Sequence, residues 1–327
     1  MGIFGRKSGG VMEGLVLDRT WADQELDAAI AALEGGDLDK PLELLKGQTF
    51  DPDRRATWVG GLGLAAVGRS DQLQSRLDAA PGDPELLVWL AQTLVREAWE
   101  ARSALRAKHV SDEQFKTFHQ ILEVAHEVID AAIEAAPDDP TPWLVYQWIA
   151  IGLQAPQDVQ GKIFESALAR QPDSHMAHSN RVQAIAPKWS GRPVEDLLSF
   201  GAETAAKAAT GRVLNTVLVE AVVEAGLNVL TGDEGNIGKR IMASSRLDDQ
   251  WRDAVLASRE KWLDPDRYRE PGDLIAHNFY AYFLRNTRPE LARAHAASMF
   301  GRVSFVPWCY RGDPLKTFGK AFPPGKR

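Results

Sequence analysis

The sequence predicts an all-α protein assembled from consecutive antiparallel helix pairs, and three observations predict it. Apolar residues recur at helical spacing along most of the 327-residue chain. Asp-Pro dipeptides stand where several of those stretches begin. The intervals between them approach the length of one helix-turn-helix unit.

The spacing is clearest at Leu26, Ala29, Ile30 and Leu33, and again at Ile121, Ala125, Val128, Ile129, Ala132 and Ile133, each set falling on one helix face. Alternating strand-like runs bounded by turns are scarce. Asp51-Pro52, Asp83-Pro84, Asp139-Pro140 and Asp264-Pro265 each offer an aspartate to accept from a free N–H of the first turn, followed by a proline with no N–H to leave unsatisfied. From Asp51 to Asp83 is 32 residues, and from Asp139 to Asp173, a further cap candidate after Pro172, is 34. The interval from Asp83 to Asp139 is 56 residues and is read as one unit with two lengthened helices, 85–109 and 112–136.

Beyond Asp173, helices are expected at 174–185 with 193–208, at 213–230 with a helix from about 248 to 263, and at 273–285 with 289–300. The helix at 213–230 is apolar all round except for a narrow stripe of Thr216, Glu220, Glu224 and Asn228. Such a helix belongs in the centre of a core, with neighbours on both flanks. It makes the second half of the protein irregular compared with the first.

Residues 137–172 resemble the tetratricopeptide (TPR) pattern: Pro137-Asp-Asp-Pro-Thr-Pro-Trp143 gives the proline-to-tryptophan offset, and Phe164, Ala167 and Pro172 match the second helix with one extra residue. Gln147 stands where the TPR family prefers a glycine that lets the two helices approach, which implies wider packing of this pair. The run Ala186-Pro-Lys-Trp-Ser-Gly191 is similar to a Pro-Lys-Trp-Gly-Gly loop joining two helices in an uncharacterised bacterial family of TPR-like proteins, with Ser190 in place of the first glycine. These resemblances imply a TPR-like α-solenoid, a right-handed superhelix of antiparallel helix pairs. The expected organisation is a flexible N-terminal tail (1–19), a TPR-like helical domain (20–300, in halves 20–187 and 192–300) and a C-terminal strap (301–327).

Composition narrows the function classes. A hydrophobic fraction of 44% supplies a sizeable core, and a formal net charge of -7 argues against general nucleic-acid binding, which needs a cationic surplus to neutralise phosphates. Cys309 is the one cysteine, so neither an internal disulfide nor a cysteine-based zinc site is expected, and a reducing cytoplasm suits it. No stretch reads as a signal peptide or a membrane helix, so no membrane partner is expected. Gly2 invites comparison with myristoylation signals, but Arg6 replaces the required Ser or Thr.

Four groups of residues carry potential chemistry. His126-Glu127 followed by Asp130 lacks the second histidine of a zinc-protease helix. Asp173, His175 and His178 place two imidazoles one turn apart, and the simpler reading is exposed imidazoles beside a capping aspartate. The segment Thr231–Lys239 departs from a phosphate loop in its glycine spacing, in Arg240 where a hydroxyl is needed, and in having no preceding strand. Glu220 and Glu224, one turn apart, have the spacing of an acid–base pair, although such a stripe is expected to meet solvent. No metal and no cofactor is expected.

The ten tryptophans include Trp58, Trp89, Trp143, Trp148, Trp251 and Trp262 on helices, where core packing is their expected role. Trp143, Tyr146 and Trp148 spread around their helix, so at least one reaches a surface suited to anchoring a peptide. Trp189 beside Lys188 is a second such candidate. Trp143, Tyr146, Trp148, Lys188 and Trp189 are therefore the expected ligand-binding residues. From Trp308 onward, Arg311, Lys316, Lys320, Lys326 and Arg327 face one acid, Asp313; the segment reads as an aromatic strap of Trp308, Tyr310 and Phe318, with a basic docking segment as the alternative. The function expected is a non-catalytic scaffold binding a protein or peptide. The alternatives are an enzyme centred on Glu220 and Glu224 and, more weakly, a helical nucleic-acid-binding or regulatory protein.

Overall fold

Helix formation follows from the start signals and apolar faces, and a computed structural model of the chain describes residues 14–47, 51–102, 111–232 and 236–323. It is 74% helical with almost no strand. The chain divides into two compact units at Ala177/His178, in the first turn of one helix, whereas the halves expected from sequence met at 187–192.

The described part of unit 1 is 23–177. It holds α1 (Gln24–Glu34), α2 (Asp39–Lys46), α3 (Pro52–Ala65), α4 (Ser70–Ala79), α5 (Pro84–Arg102), α6 (Asp112–Ala135), α7 (Thr141–Gly152), α8 (Gln157–Arg170) and the start of α9 (His175–Ile185). Helices α1 and α2, α5 and α6, and α7 and α8 pack as neighbours in sequence. The two lengthened helices are α5 and α6; the expected end of the first, 103–109, lies outside the described residues.

The caps at Asp51 and Asp83 form as expected: Asp51 accepts from the N–H groups of Asp53 and Arg54, and Asp83 from those of Glu85 and Leu86. At Asp139 the helix starts one residue late, with the carboxylate accepting from Thr141 N–H at 2.8 Å. The cap expected at Asp173 belongs instead to Ser174, whose Oγ accepts from Ala177 N–H at 3.1 Å. That hydroxyl donates at 2.7 Å to Asp53, whose other oxygen accepts from His175 N–H at 3.0 Å. Burial raises the Asp53 pKa despite these bonds.

One guanidinium gathers several helix ends of this unit. Arg55 donates to Glu85 at 2.5 Å, to Asp139 at 3.0 Å and to the Leu45 carbonyl at 2.7 Å. It thereby joins α3 to the starts of α5 and α7 and to the end of α2. All three side chains are largely buried, so losing the cation strands two carboxylates at low exposure.

The described part of unit 2 is 14–22 with 178–232 and 236–323. After the rest of α9 come α10 (Pro187–Ser190), α11 (Val194–Lys207), a 3-10 turn (Val213–Thr216), α12 (Val217–Thr231), α13 (Ile237–Trp262), α14 (Asp273–Leu284), α15 (Pro289–Ser298), a second 3-10 turn (Trp308–Arg311) and α16 (Pro314–Ala321). Its two short strands, β1 (Val16–Leu17) and β2 (Arg302–Val303), pair in parallel, with Val16 opposite Arg302. Residues 16 and 17 of the expected tail are thus in a sheet.

Helix α12 is the core of unit 2. Every residue from Val213 to Gly226 is buried, and α11, α13 and α14 pack around it. The segment Val213–Thr231 has the length and hydropathy of a membrane span, contrary to the expectation that no stretch would; most of it is buried inside this unit, which accounts for its apolar character. Close packing of α11 on α12 depends on Gly201, where a Cβ would come within 2.6 Å of Ala221 Cβ.

Two further expectations are corrected. Asp264-Pro265 does not begin a helix: Asp264 accepts from Asp266 N–H at 3.0 Å in a turn, and Pro271 delays the helix to Asp273. Helix α13 begins eleven residues before the expected 248, capped by Asn236, which accepts from Lys239 N–H at 3.0 Å. In the C-terminal segment Trp308 is fully buried, donates to Asn278 at 2.8 Å, and meets Tyr282 and Phe318 edge-on.

Two imidazoles are also held in unit 2. His295 Nε2 accepts from Arg259 at 2.7 Å, which places its proton on Nδ1 and lets it donate to His277 Nδ1 at 2.8 Å. Burial and the nearby arginines push His277 down to about 4 and His295 down to about 2, against an ordinary 6.5.

Two measurements check these assignments. Arg55→Met should lower unfolding stability by about 3 kcal/mol in denaturant titration. Because both folded-state histidine pKa values lie below the unfolded value, the unfolded chain binds more protons as pH falls below 6.5. Stability should drop between pH 6.5 and 4 by about 1 kcal/mol per pH unit for each imidazole, and the double variant His277→Gln/His295→Gln should flatten that slope.

Candidate functional site

Two regions gather the residue types that bind or react, one in each unit. In unit 1, an open groove of about 740 Å³ lies where the end of α4, the start of α5 and the end of α6 meet. Leu77, Pro81, Leu87, Ala131 and Ala135 give it an apolar lining. Asp78 and Glu134 add two carboxylates. Gly82, at φ +81°, forms the turn between α4 and α5 that leaves the groove open.

The aromatic residues expected to bind a ligand sit elsewhere in this unit. Trp143, Tyr146 and Trp148 are all half-buried on α7. Trp143 stacks near Tyr146 and carries Arg170 4.9 Å from its ring centre. Tyr146 shares a 2.5 Å hydrogen bond with His126, the histidine of the incomplete zinc motif. Trp148 turns the other way and meets Trp99 edge-on. The structure therefore brings Trp143 and Tyr146 together and separates Trp148 from them. Gln147, at the expected glycine position, is buried and donates to the Ala177 carbonyl at 3.2 Å. The close approach on α7 falls at Gly152, where a Cβ would lie 2.9 Å from Phe118 Cζ of α6.

In unit 2, Glu220 and Glu224 do not meet solvent as expected; both are buried. Ser179 donates to Glu220 at 2.5 Å. Glu224 accepts from Tyr310 at 2.8 Å and from Gln183 at 3.1 Å, and Lys188 Nζ lies 2.6 Å from its other oxygen. Lys188 also stands 5.6 Å from the Trp189 ring and 5.8 Å from that of Tyr310. The short helix α10, closed by Gly191 in the left-handed region at φ +64°, holds Lys188 and Trp189 in this position. Sequence reasoning picked Lys188 and Trp189 as ligand contacts and Glu224 as an acid or base; the structure makes one ion-paired centre of them.

The chemistry available at this centre is limited. Glu224 is surrounded by three donors, and its side chain is 2% exposed against 30% for Lys188. Burial beside Glu224 raises the Tyr310 hydroxyl well above 10, and burial pushes the neighbouring Cys309 thiol to about 12, so neither is a ready nucleophile at neutral pH. His175 and His178, expected to be exposed, are buried, and no group of three or more metal-ligating residues occurs among the described residues. The end of the phosphate-loop-like segment forms the first turn of α13, while residues 233–235 lie outside the described residues. Of the basic C-terminal residues, Lys326 and Arg327 also lie outside them. Compared with protein-family models, curated proteins and solved structures, the chain matches none.

Lys188→Met should lower stability by about 1–3 kcal/mol because it leaves a buried carboxylate without its cation. Adding Glu224→Gln should restore part of that loss in the same denaturant titration, since the double variant removes both charges; a double-variant loss equal to the sum of the Lys188→Met and Glu224→Gln losses would show that the pair is not coupled.

Proposed function

We propose that the protein is a non-catalytic scaffold that binds an extended protein segment, and that its helix pairs follow a TPR-like superhelical arrangement. The return of helix starts at Thr141 and His175, on either side of the packed pair α7 and α8, supports the repeat reading. The observation that carries the binding reading is the open groove between α4, α5 and α6.

An apolar lining with carboxylates selects an apolar side chain flanked by lysine or arginine. Leu77 and Leu87 are buried beneath that surface and hold it in place. A net charge of -7 favours approach of a basic segment over long range. A reducing cytoplasm is the compartment we assign, which the free thiol of Cys309 suits.

The test is fluorescence anisotropy with two labelled peptide pools sharing a central leucine or phenylalanine, one flanked by lysine and arginine and the other by glutamate. Basic peptides should bind and acidic ones should not. Glu134→Lys should weaken the basic pool about tenfold, and Ala131→Trp, which fills the groove, should abolish binding. Equal binding of both pools, or binding unaffected by Ala131→Trp, would refute the reading.

A further inference from the structure

Arg311, one of the basic residues near the C-terminus, has a role that neither the groove nor the Glu224 centre accounts for. Its Nε–H donates to the Tyr282 hydroxyl at 3.0 Å. From α14, the Arg285 guanidinium carbon lies 3.9 Å from the centre of the same ring, and Arg285 also donates to the Tyr282 carbonyl. Two guanidiniums thus share one buried phenol, one on its face and one at its hydroxyl.

Asp248 of α13 is close enough to feel the charges of Arg285, Arg311 and Arg252. Arg252 is ion-paired with Asp249, and its Nε is buried with no hydrogen-bond partner. Around Asp248 there are accordingly three cations and two carboxylates, an excess of one positive charge. Lys188 and Glu224, beyond Tyr310, offset each other. Bringing like charges together over a buried ring is unfavourable unless an anion joins them. A guanidinium carries five N–H donors in a planar fork, and among the described residues those of Arg285 and Arg311 not used on Tyr282 have no protein acceptor.

We propose that Arg285 and Arg311, arranged about Tyr282, form a binding site for a compact oxyanion, a phosphate or carboxylate group, with the charge of Arg252 adding to the local positive potential. The planar forks of Arg285 and Arg311 supply paired N–H donors of the geometry that such groups accept, and Arg311 is exposed, so the site opens to solvent. Asp248 sets a threshold: its charge competes with the ligand, so it keeps weak anions out. Burial raises its pKa to about 6 in spite of the three arginines, consistent with a carboxyl that is not hydrogen-bonded to any of them.

Inorganic phosphate and acetate, titrated separately into the full-length chain by calorimetry at constant ionic strength with chloride as the control, provide the test. At least one should bind saturably, and the comparison identifies the phosphate or carboxylate source. Arg311→Gln, a change at an exposed side chain, should weaken binding about tenfold, and Arg285→Gln should do the same. Asp248→Asn should tighten binding several-fold, because it removes the competing charge. No saturable binding of either anion, binding unchanged in Arg311→Gln, or weaker binding in Asp248→Asn would overturn the proposal. The last outcome would mean that the carboxylate merely positions the arginines.

Discussion

Every helix ends in backbone groups that its own hydrogen bonds cannot satisfy, and a protein made of many short helices must provide for a large number of them. In this protein carboxylates meet much of that need, and they do so while buried or half-buried. Asp23 caps α1 and also accepts from Arg54 and the Trp58 indole. Asp53 receives the start of α9 through Ser174 and His175. In unit 2, Glu270 accepts from Val213 N–H at 2.5 Å and from Arg212, and so fixes the entrance to the core helix α12. Each such acid costs desolvation and repays it only when its donors are in place. Correct packing of the helices and satisfaction of these acids therefore stand or fall together.

The same constraint separates structural charge from functional charge. Glu224 accepts hydrogen bonds from α9 and the second 3-10 turn and is ion-paired with Lys188 of α10, so its charge is balanced within unit 2. The arginines around Tyr282 differ, because their donors outnumber the acceptors that surround them. The unit 1 groove differs again, with apolar surface left open at a junction of three helices. A group with spare bonding capacity can do work on a ligand; one that is saturated holds the fold.

The helical class and many helix positions were legible because their signals are local. Asp51 and Asp83 act on N–H groups two and three residues away, and the apolar spacing of Leu26, Ala29, Ile30 and Leu33 is buried as it reads. Asp264 carries the same dipeptide yet makes a turn, because Pro271 and the pairing of Arg267 with Asp273 place the next helix start at Asp273. The early turns of α13 expose Ile237, Ile241 and Met242, so no buried stripe announces them. The polar centre was illegible for a different reason: Glu224 finds Gln183 41 residues away and Tyr310 86 residues away. Lys188 was singled out for its neighbour Trp189, and nothing near it in sequence points to Glu224.

The pairing of β1 with β2 bears on the order in which the chain becomes structured. Arg302 reaches Asp18 across 284 positions, and Val16 and Asp18 donate to the carbonyls of Gly301 and Val303. During synthesis, everything needed for 23–177 has emerged long before residue 302 exists. Unit 1 can complete its own contacts on the ribosome, while the Val16 and Asp18 N–H groups must wait for their acceptors at Gly301 and Val303 to be made. The β1–β2 pairing is thus a long-range closure, and until residues 302 and 303 are in place residues 16 and 17 form a strand without its partner.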